Sequence, residues 1–135
     1  MKKNRLLNSE ISYEIAKIGH TGHLTLCDAG LPIPITSKRI DLAVEKGIPS
    51  FIQVLDAILS EMKVEEIILA TEIVDKNPKM LENIKKSFKD INESPKITWV
   101  THEELKNITK ESSAIIRSGE CSPYANIILK SGVVF

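Results

Sequence analysis

Apolar residues recur along this chain with two different spacings, one typical of helices and one typical of strands. Apolar side chains three and four residues apart predict amphipathic helices over residues 9–18, 49–62, 77–91 and 102–110. Short apolar or alternating runs predict strands near residues 24–27, 40–44, 67–69, 97–101, 114–117 and 127–129. Since strands alternate with helices, we predict an α/β fold with a largely parallel sheet covered by helices.

Local signals support several of these boundaries. Asn8 or Ser9 can cap the first helix, and Gly19 suits the turn that ends it. Pro49 fits the first turn of the second helix. We expect Trp99, inside the predicted strand at 97–101, to pack in the core.

Length and charge then narrow the class of protein. A chain of 135 residues fits one domain, residues 1–135, and its 18 basic and 18 acidic residues give a formal net charge of zero. That balance argues against general binding to nucleic acid or to an anionic membrane surface, and it favours a neutral ligand. The chain has no run of apolar residues long enough to span a bilayer and does not start like a signal peptide, so we expect a cytoplasmic protein.

Candidate chemistry lies in three loops: residues 20–34, the segment around residue 102, and residues 119–126. Ligands of open α/β sheets usually bind beyond the carboxyl ends of the strands and on the adjoining loops. No glycine-rich phosphate loop occurs, which weakens the case for nucleotide-dependent chemistry.

His20 and Asp28 bracket the first predicted strand, and a short excursion of the chain could bring them to one cavity as an acid–base pair. The spacing alone equally fits a helix-capping histidine with a turn-forming aspartate. His23 and Cys27 add side-chain types that zinc accepts, but the spacing does not match a known zinc motif. Two cysteines in an intracellular chain are also more often free thiols than a disulfide.

The later loops carry groups suited to binding a polyol. Tyr124 has a ring and a hydroxyl, and the Asn126 amide both donates and accepts hydrogen bonds. A plain turn containing Pro123 would explain the same residues. His102 could equally be an ordinary first-turn residue of a helix that begins with acidic side chains.

Two long segments nevertheless resemble one family, the D-ribose pyranases. They are LNSEISYEIAKIGHTGHLTLCDAGLPIP at the amino terminus and RSGECSPYANIILKSGVVF at the carboxyl terminus, with RIDLAVEKGIPSF and THEELK between them. The related L-fucose mutarotases share the histidine and aspartate of the first segment, but DAGLPIP and PYANIIL resemble the ribose branch more closely.

The resemblance implies a role for each candidate residue. His20 matches the family's catalytic acid, while Asp28 and His102 match substrate-binding positions. The C-terminal substrate-binding segment matches Tyr124, Ala125 and Asn126. His23 departs from the family pattern, which leaves its effect on His20 open.

The resemblance also implies an isomerase that interconverts β-D-ribopyranose and β-D-ribofuranose by acid–base catalysis, with no metal or cofactor. It implies a homodecamer in which a neighbouring subunit completes each site, and Phe51, Val134 and Phe135 are apolar candidates for the subunit contacts. The alternatives are a fucose-type mutarotase, a ribose-binding module without activity, a zinc-site protein and a purely structural assembly subunit.

Overall fold

The computed structural model describes all 135 residues. Its helices are α1 (Ser9–Lys17), α2 (Phe51–Leu59), α3 (Ile73–Lys76), α4 (Pro78–Asp90) and α5 (His102–Ile108), the last continued by a 3-10 turn (Thr109–Glu111). Its strands are β1 (His23–Cys27), β2 (Arg39–Asp41), β3 (Val64–Ala70), β4 (Lys96–Val100), β5 (Ile115–Arg117) and β6 (Ile127–Ser131). None of the helices combines the length and the apolar character needed to cross a membrane.

The six strands form one sheet in the order β2-β5-β1-β6-β3-β4. All neighbouring pairs are parallel except those of β6, which runs antiparallel to both β1 and β3. The predicted α/β fold with a largely parallel sheet is therefore confirmed. Because β6 alone is reversed, its first residue lies level with the last residues of the other strands. We call this end of the sheet, where the parallel strands have their carboxyl termini, the carboxyl edge.

Helices cover both faces of the sheet. On one face Leu24 and Leu26 of β1 join the main core, which α1, α2 and α4 cover with their apolar stripes. The other face of the sheet packs against α5, where Leu105 meets Ile68 and Ile128. Strand residues alternate between these two layers, as the period of two requires.

Four helices begin at a capping side chain. Asn8, Ser50, Asn77 and Thr101 each accept a hydrogen bond from the backbone N–H three residues later. The predicted cap of α1 is confirmed at Asn8. Pro49 precedes the cap of α2, so this helix begins two residues later than predicted.

Four further details of the sequence prediction were wrong. Strand β2 ends at Asp41 and not near residue 44, because the Asp41 carboxylate accepts the Ala43 N–H at 3.1 Å and turns the chain. Trp99 lies on the edge strand β4 and is 39% exposed, outside the core. Phe51 is fully buried and offers no contact surface, whereas the terminal Phe135 is exposed. The short helix α3 was not predicted at all.

Candidate functional site

The carboxyl edge of the sheet gathers five of the six predicted site residues. Asp28 directly follows β1, and His102 begins α5 just beyond the end of β4. Residues 124–126 precede β6, and its reversed direction brings them to the same edge. The topology therefore collects residues that are far apart in sequence, in the place where α/β sheets bind ligands.

Three of them, Asp28, His102 and Tyr124, line a cavity of about 520 Å³, and Ala125 and Asn126 lie buried behind it. The volume lies in the range of small-molecule binding sites. A second hollow of about 460 Å³, between α4 and the strands β3 and β4, contains none of the predicted site residues. The residues that line the first cavity are Asp28, Ala29, Gly30, Leu31, Pro32, His102, Glu120, Cys121, Ser122, Pro123 and Tyr124.

Asp28 is held by a reciprocal pair of hydrogen bonds with Asn126. The Asn126 amide Nδ2 donates to Asp28 Oδ2 at 3.0 Å, and the Asp28 backbone N–H donates to Asn126 Oδ1 at 3.1 Å. The Gly30 N–H donates to the other carboxylate oxygen at 2.9 Å. Asn126 is fully buried, as is Ala125, whose side chain belongs to the main core. The carboxylate is thus fixed in orientation before any ligand arrives.

Burial dominates the electrostatics of Asp28. It raises the pKa of Asp28 above the usual aspartate value, although the hydrogen bonds from Gly30, Asn126 and Leu31 and the nearby His102 act in the opposite direction. The carboxylate is therefore a strong hydrogen-bond acceptor near neutral pH that takes up a proton more readily than an exposed aspartate.

His102 and Tyr124 form an aromatic wall of the cavity. Their ring centroids lie 5.1 Å apart and the ring planes meet at 86°, an edge-to-face contact. The His102 Nδ1 atom is buried and has no hydrogen-bond partner within the chain. The Glu72 carboxylate accepts the His102 backbone N–H at 3.0 and 3.1 Å, which ties the end of β3 to the start of α5. This contact lowers the pKa of Glu72.

The loop over residues 119–126 is anchored at its first residue by a close backbone approach. The Gly119 N–H donates to the Pro49 carbonyl at 2.8 Å. A Cβ atom at Gly119 would lie 2.5 Å from both the N and the O of Ile48, so only glycine fits there. The Ala29 N–H donates to the Glu120 carbonyl at 2.7 Å and joins the two loops of the cavity.

His20 lies at the opposite end of the sheet. It precedes β1 and its Nε2 atom lies 2.8 Å from Oε2 of Glu65, near the start of β3. The five residues of β1, which span about 17 Å, separate it from Asp28. The expectation that a short excursion brings His20 and Asp28 to one cavity is therefore wrong within a single chain. The imidazole is about half exposed, with a side-chain accessibility of 52%.

The side chains considered for zinc do not assemble. No three His, Cys, Asp or Glu side chains of the chain form a group that could hold a metal ion. His23 is the first residue of β1, and Cys27, its last, is buried, which raises the pKa of that thiol to about 12. Both cysteines are free thiols, and Cys121 is exposed at the cavity.

Two carboxylates that contact predicted site residues, Glu72 at His102 and Glu65 at His20, were not predicted from the sequence. Glu72 follows the carboxyl end of β3, so the rule that directed attention to Asp28 and His102 could also have found it. Glu65 carries no such signal, because it lies near the start of a strand. It contacts His20, which is 45 residues away in the sequence, only in the folded chain. Both are recognised from tertiary contacts.

Comparison with known proteins gives consistent matches over the whole chain. The D-ribose pyranase of Rhodopirellula baltica is 62% identical over 135 residues, with both chains covered in full. The structure of Bacillus subtilis RbsD complexed with D-ribose is 39% identical and superposes with a TM-score of 0.92, again over 100% of both chains. The fucose mutarotase of Streptococcus pneumoniae, solved in complex with L-fucose, is 26% identical and has a TM-score of 0.84 over 100% of both chains.

The family match covers nearly every residue. A model of the RbsD / FucU transport protein family matches residues 1–134. The higher identity to the ribose relatives agrees with the motifs DAGLPIP and PYANIIL. The predicted resemblance is confirmed, and the chain belongs to the RbsD / FucU transport protein family.

Proposed function

We propose that this protein is a D-ribose pyranase, an isomerase that interconverts β-D-ribopyranose and β-D-ribofuranose. The relative that is 62% identical over its full length is named for this activity, and the neighbour with a TM-score of 0.92 was solved with D-ribose. The observation that carries the proposal is the cavity itself, where the fixed Asp28 carboxylate faces the wall formed by His102 and Tyr124.

The reaction needs groups that exchange protons. Opening the cyclic hemiacetal breaks the bond between the anomeric carbon and the ring oxygen. One proton enters at the ring oxygen and one leaves the anomeric hydroxyl, which becomes the carbonyl. Closure through a different hydroxyl reverses both transfers, so the proton count balances and no electrons are exchanged. Acid–base help of this kind accelerates reactions by about 10²–10⁴.

The cavity offers a complementary set of partners for an uncharged polyol. Asp28 accepts hydrogen bonds from sugar hydroxyls, and Asn126 keeps the carboxylate in place. The unpartnered Nδ1 of His102 and the hydroxyl of Tyr124 add polar groups beside two rings. The side chain of Ala125 is buried in the core, so its part in substrate binding is through the backbone.

His20 acts, in this proposal, as the acid that protonates the ring oxygen, and a second copy of the chain supplies it. Two observations support this: His20 is half exposed, and it lies far from the cavity of its own chain. Exposed apolar residues such as Leu7, Val44 and Phe135 provide surface for contacts between copies. A homo-oligomer with shared sites follows; the decamer and the cytoplasmic location stay predictions.

Saturation-transfer NMR on D-ribose tests the activity. The protein is expected to accelerate exchange between the pyranose and furanose signals, and His20→Ala is expected to remove most of the acceleration. Ribose binding without acceleration would instead identify a passive binding module. Faster exchange of L-fucose anomers than of ribose forms would identify a fucose-type mutarotase. Unchanged exchange in the presence of EDTA would exclude a required divalent metal.

A further inference from the structure

Asn77 connects the main core to the wall of the cavity without lining the cavity itself. It lies between α3 and α4 and uses both ends of its side-chain amide. Its Nδ2 donates to Ser122 Oγ and to the Pro123 carbonyl, both at 2.8 Å. Its Oδ1 accepts the Met80 N–H at 3.3 Å and so caps α4.

The chemistry of its partners fixes which way the amide points. The Pro123 carbonyl can only accept a hydrogen bond, so the nitrogen of Asn77 must face it. The Met80 N–H can only donate, so the oxygen of Asn77 must face the helix. The two roles of Asn77 are therefore carried by two different atoms, and a substitution can remove one role and leave the other.

The bonds from Nδ2 reach the segment that sets the position of Tyr124. Tyr124 follows Pro123 directly and has a φ of 55°. This left-handed backbone conformation is uncommon for residues other than glycine, and a bulky residue keeps it only when its surroundings enforce it. The other end of the connection is firm, because Met80 and Ile84 anchor α4 in the core. Asn77 thus joins the packed helix α4, by hydrogen bonds, to the strained turn that forms part of the cavity wall.

We propose that Asn77 is a positioning residue for sugar binding, holding residues 122–124 so that Tyr124 faces the substrate beside His102. This inference rests on the proposed ribose pyranase function. It goes beyond the site residues, since Asn77 contacts the loop and not the cavity.

Three substitutions separate positioning from capping. Asn77→Asp and Asn77→Ser keep a good capping side chain but lose the amide Nδ2 that donates to both Ser122 and Pro123, one with an added charge and one without. Asn77→Ala loses both roles. Giving up two neutral hydrogen bonds is expected to raise the KM for D-ribose about tenfold in the Asp and Ser variants. Their kcat is expected to stay within about twofold of wild type, because substrate and transition state lose the same contact.

Thermal stability and the protection of the amides of residues 119–126 against hydrogen exchange supply independent readouts. The thermal midpoint is expected to fall furthest in Asn77→Ala, which loses the helix cap as well as the loop bonds, and less in Asn77→Asp and Asn77→Ser, which lose only the loop bonds. Amide hydrogen exchange of residues 119–126 is expected to speed up in all three variants. Ser122→Ala, which leaves the helix cap intact, is expected to give a smaller rise in KM that does not add to that of Asn77→Ser.

The outcomes distinguish this inference from the proposed function. Wild-type KM and wild-type loop protection in both Asn77→Asp and Asn77→Ser would overturn the role of Asn77, even with a fully active enzyme. A wild-type protein that does not accelerate ribose exchange would contradict the proposed function. In that case the hydrogen-exchange data would still decide whether Asn77 holds the loop.

Discussion

The imidazole of His20 lies with its Nε2 atom 2.8 Å from Oε2 of Glu65, at the end of the sheet opposite the cavity. A carboxylate on one ring nitrogen fixes the tautomer and orientation of the ring and leaves the other nitrogen, Nδ1, for a substrate. Both side chains are partly exposed in the single chain, so water weakens the pair there. A neighbouring copy that covers this surface would strengthen it.

Glu65→Gln is therefore expected to slow ribose exchange by at least about tenfold, because the amide no longer orients and stabilises the imidazolium. Ribose affinity should change much less than the exchange rate, since Glu65 contacts the side chain of His20 through Nε2 and does not belong to the group of substrate-binding candidates around Asp28. Glu66→Gln is the matched control, as the adjacent carboxylate bonds to Thr98 and Lys130 and not to His20. Equal exchange rates for Glu65→Gln and the control, measured by saturation transfer, would rule out an orienting role.

Asp28 is expected to determine the pH below which kcat/KM for ribose falls, the acid limb of its pH profile. Because burial raises the pKa of Asp28, kcat/KM for ribose should begin to fall at a higher pH than an ordinary aspartate would give. Asn126→Ala removes a hydrogen bond that lowers the pKa of Asp28, so its acid limb should move to still higher pH. Asn107→Ala, on α5 outside the cavity, should leave the limb in place. An acid limb that is unmoved in Asn126→Ala, or moved to lower pH, would show that another group controls it.

Glu14 links folding stability to pH. It is fully buried on α1 and pairs with Lys38 at 2.7 Å and Lys17 at 3.1 Å. Burial tends to raise the pKa of Glu14, but the bonds from both lysines outweigh it and the pKa is lowered overall. A lowered folded-state pKa means that the pair stabilises the protein above the ordinary glutamate pKa and that this stabilisation is lost as the pH falls through the folded-state value.

Glu14→Gln should accordingly lower the thermal midpoint at pH 7, with the difference from wild type shrinking as the pH is lowered below about 4.5. Thermal melts of both proteins between pH 7 and pH 3 check this, with Glu10→Gln as the exposed control on the same helix. A difference that is constant across this range would mean that Glu14 contributes through packing and not through its charge.

Gly119→Ala is expected to destabilise the fold by about 1–3 kcal/mol, because the new Cβ would overlap the backbone of Ile48. It should also weaken ribose binding, since Gly119 begins the loop that carries Tyr124. Gly19→Ala is the control, with no atom within 4 Å of the added Cβ. Urea titrations that give both variants the same free energy of unfolding would contradict the close approach.

The sequence predicts the local features of this fold well. The apolar stripe of α2, which includes Val54 and Leu55, predicts which face of the helix is buried. Capping residues such as Asn8 bind a backbone N–H within one turn of the helix that they begin. The carboxyl-edge rule also selects the loops of Asp28, His102 and Tyr124 before any contact is known. These signals depend on neighbours within a few residues.

The remaining features depend on pairing between distant segments, which periodicity does not encode. The reversed direction of β6 is what brings Asn126 to Asp28, and nothing in the run IILKS distinguishes a parallel strand from an antiparallel one. The same holds for the edge position that exposes Trp99 and for the contact between His20 and Glu65. The loops selected from the sequence contain the candidate site residues, but periodicity does not show that His20 and Asp28 lie at opposite ends of one strand.

The central claim is that His20 of one chain completes the cavity of another to form a ribose pyranase site. Mixing the His20→Ala and Asp28→Ala variants, unfolding them together and refolding them at a 1:1 ratio tests it directly by saturation-transfer NMR on D-ribose. Each variant alone should retain only a small part of the wild-type exchange rate. The mixture should recover about a quarter of the wild-type exchange rate, because one site in four then combines an intact His20 with an intact Asp28. Mixed oligomers, verified by mass, that recover no activity would contradict the claim.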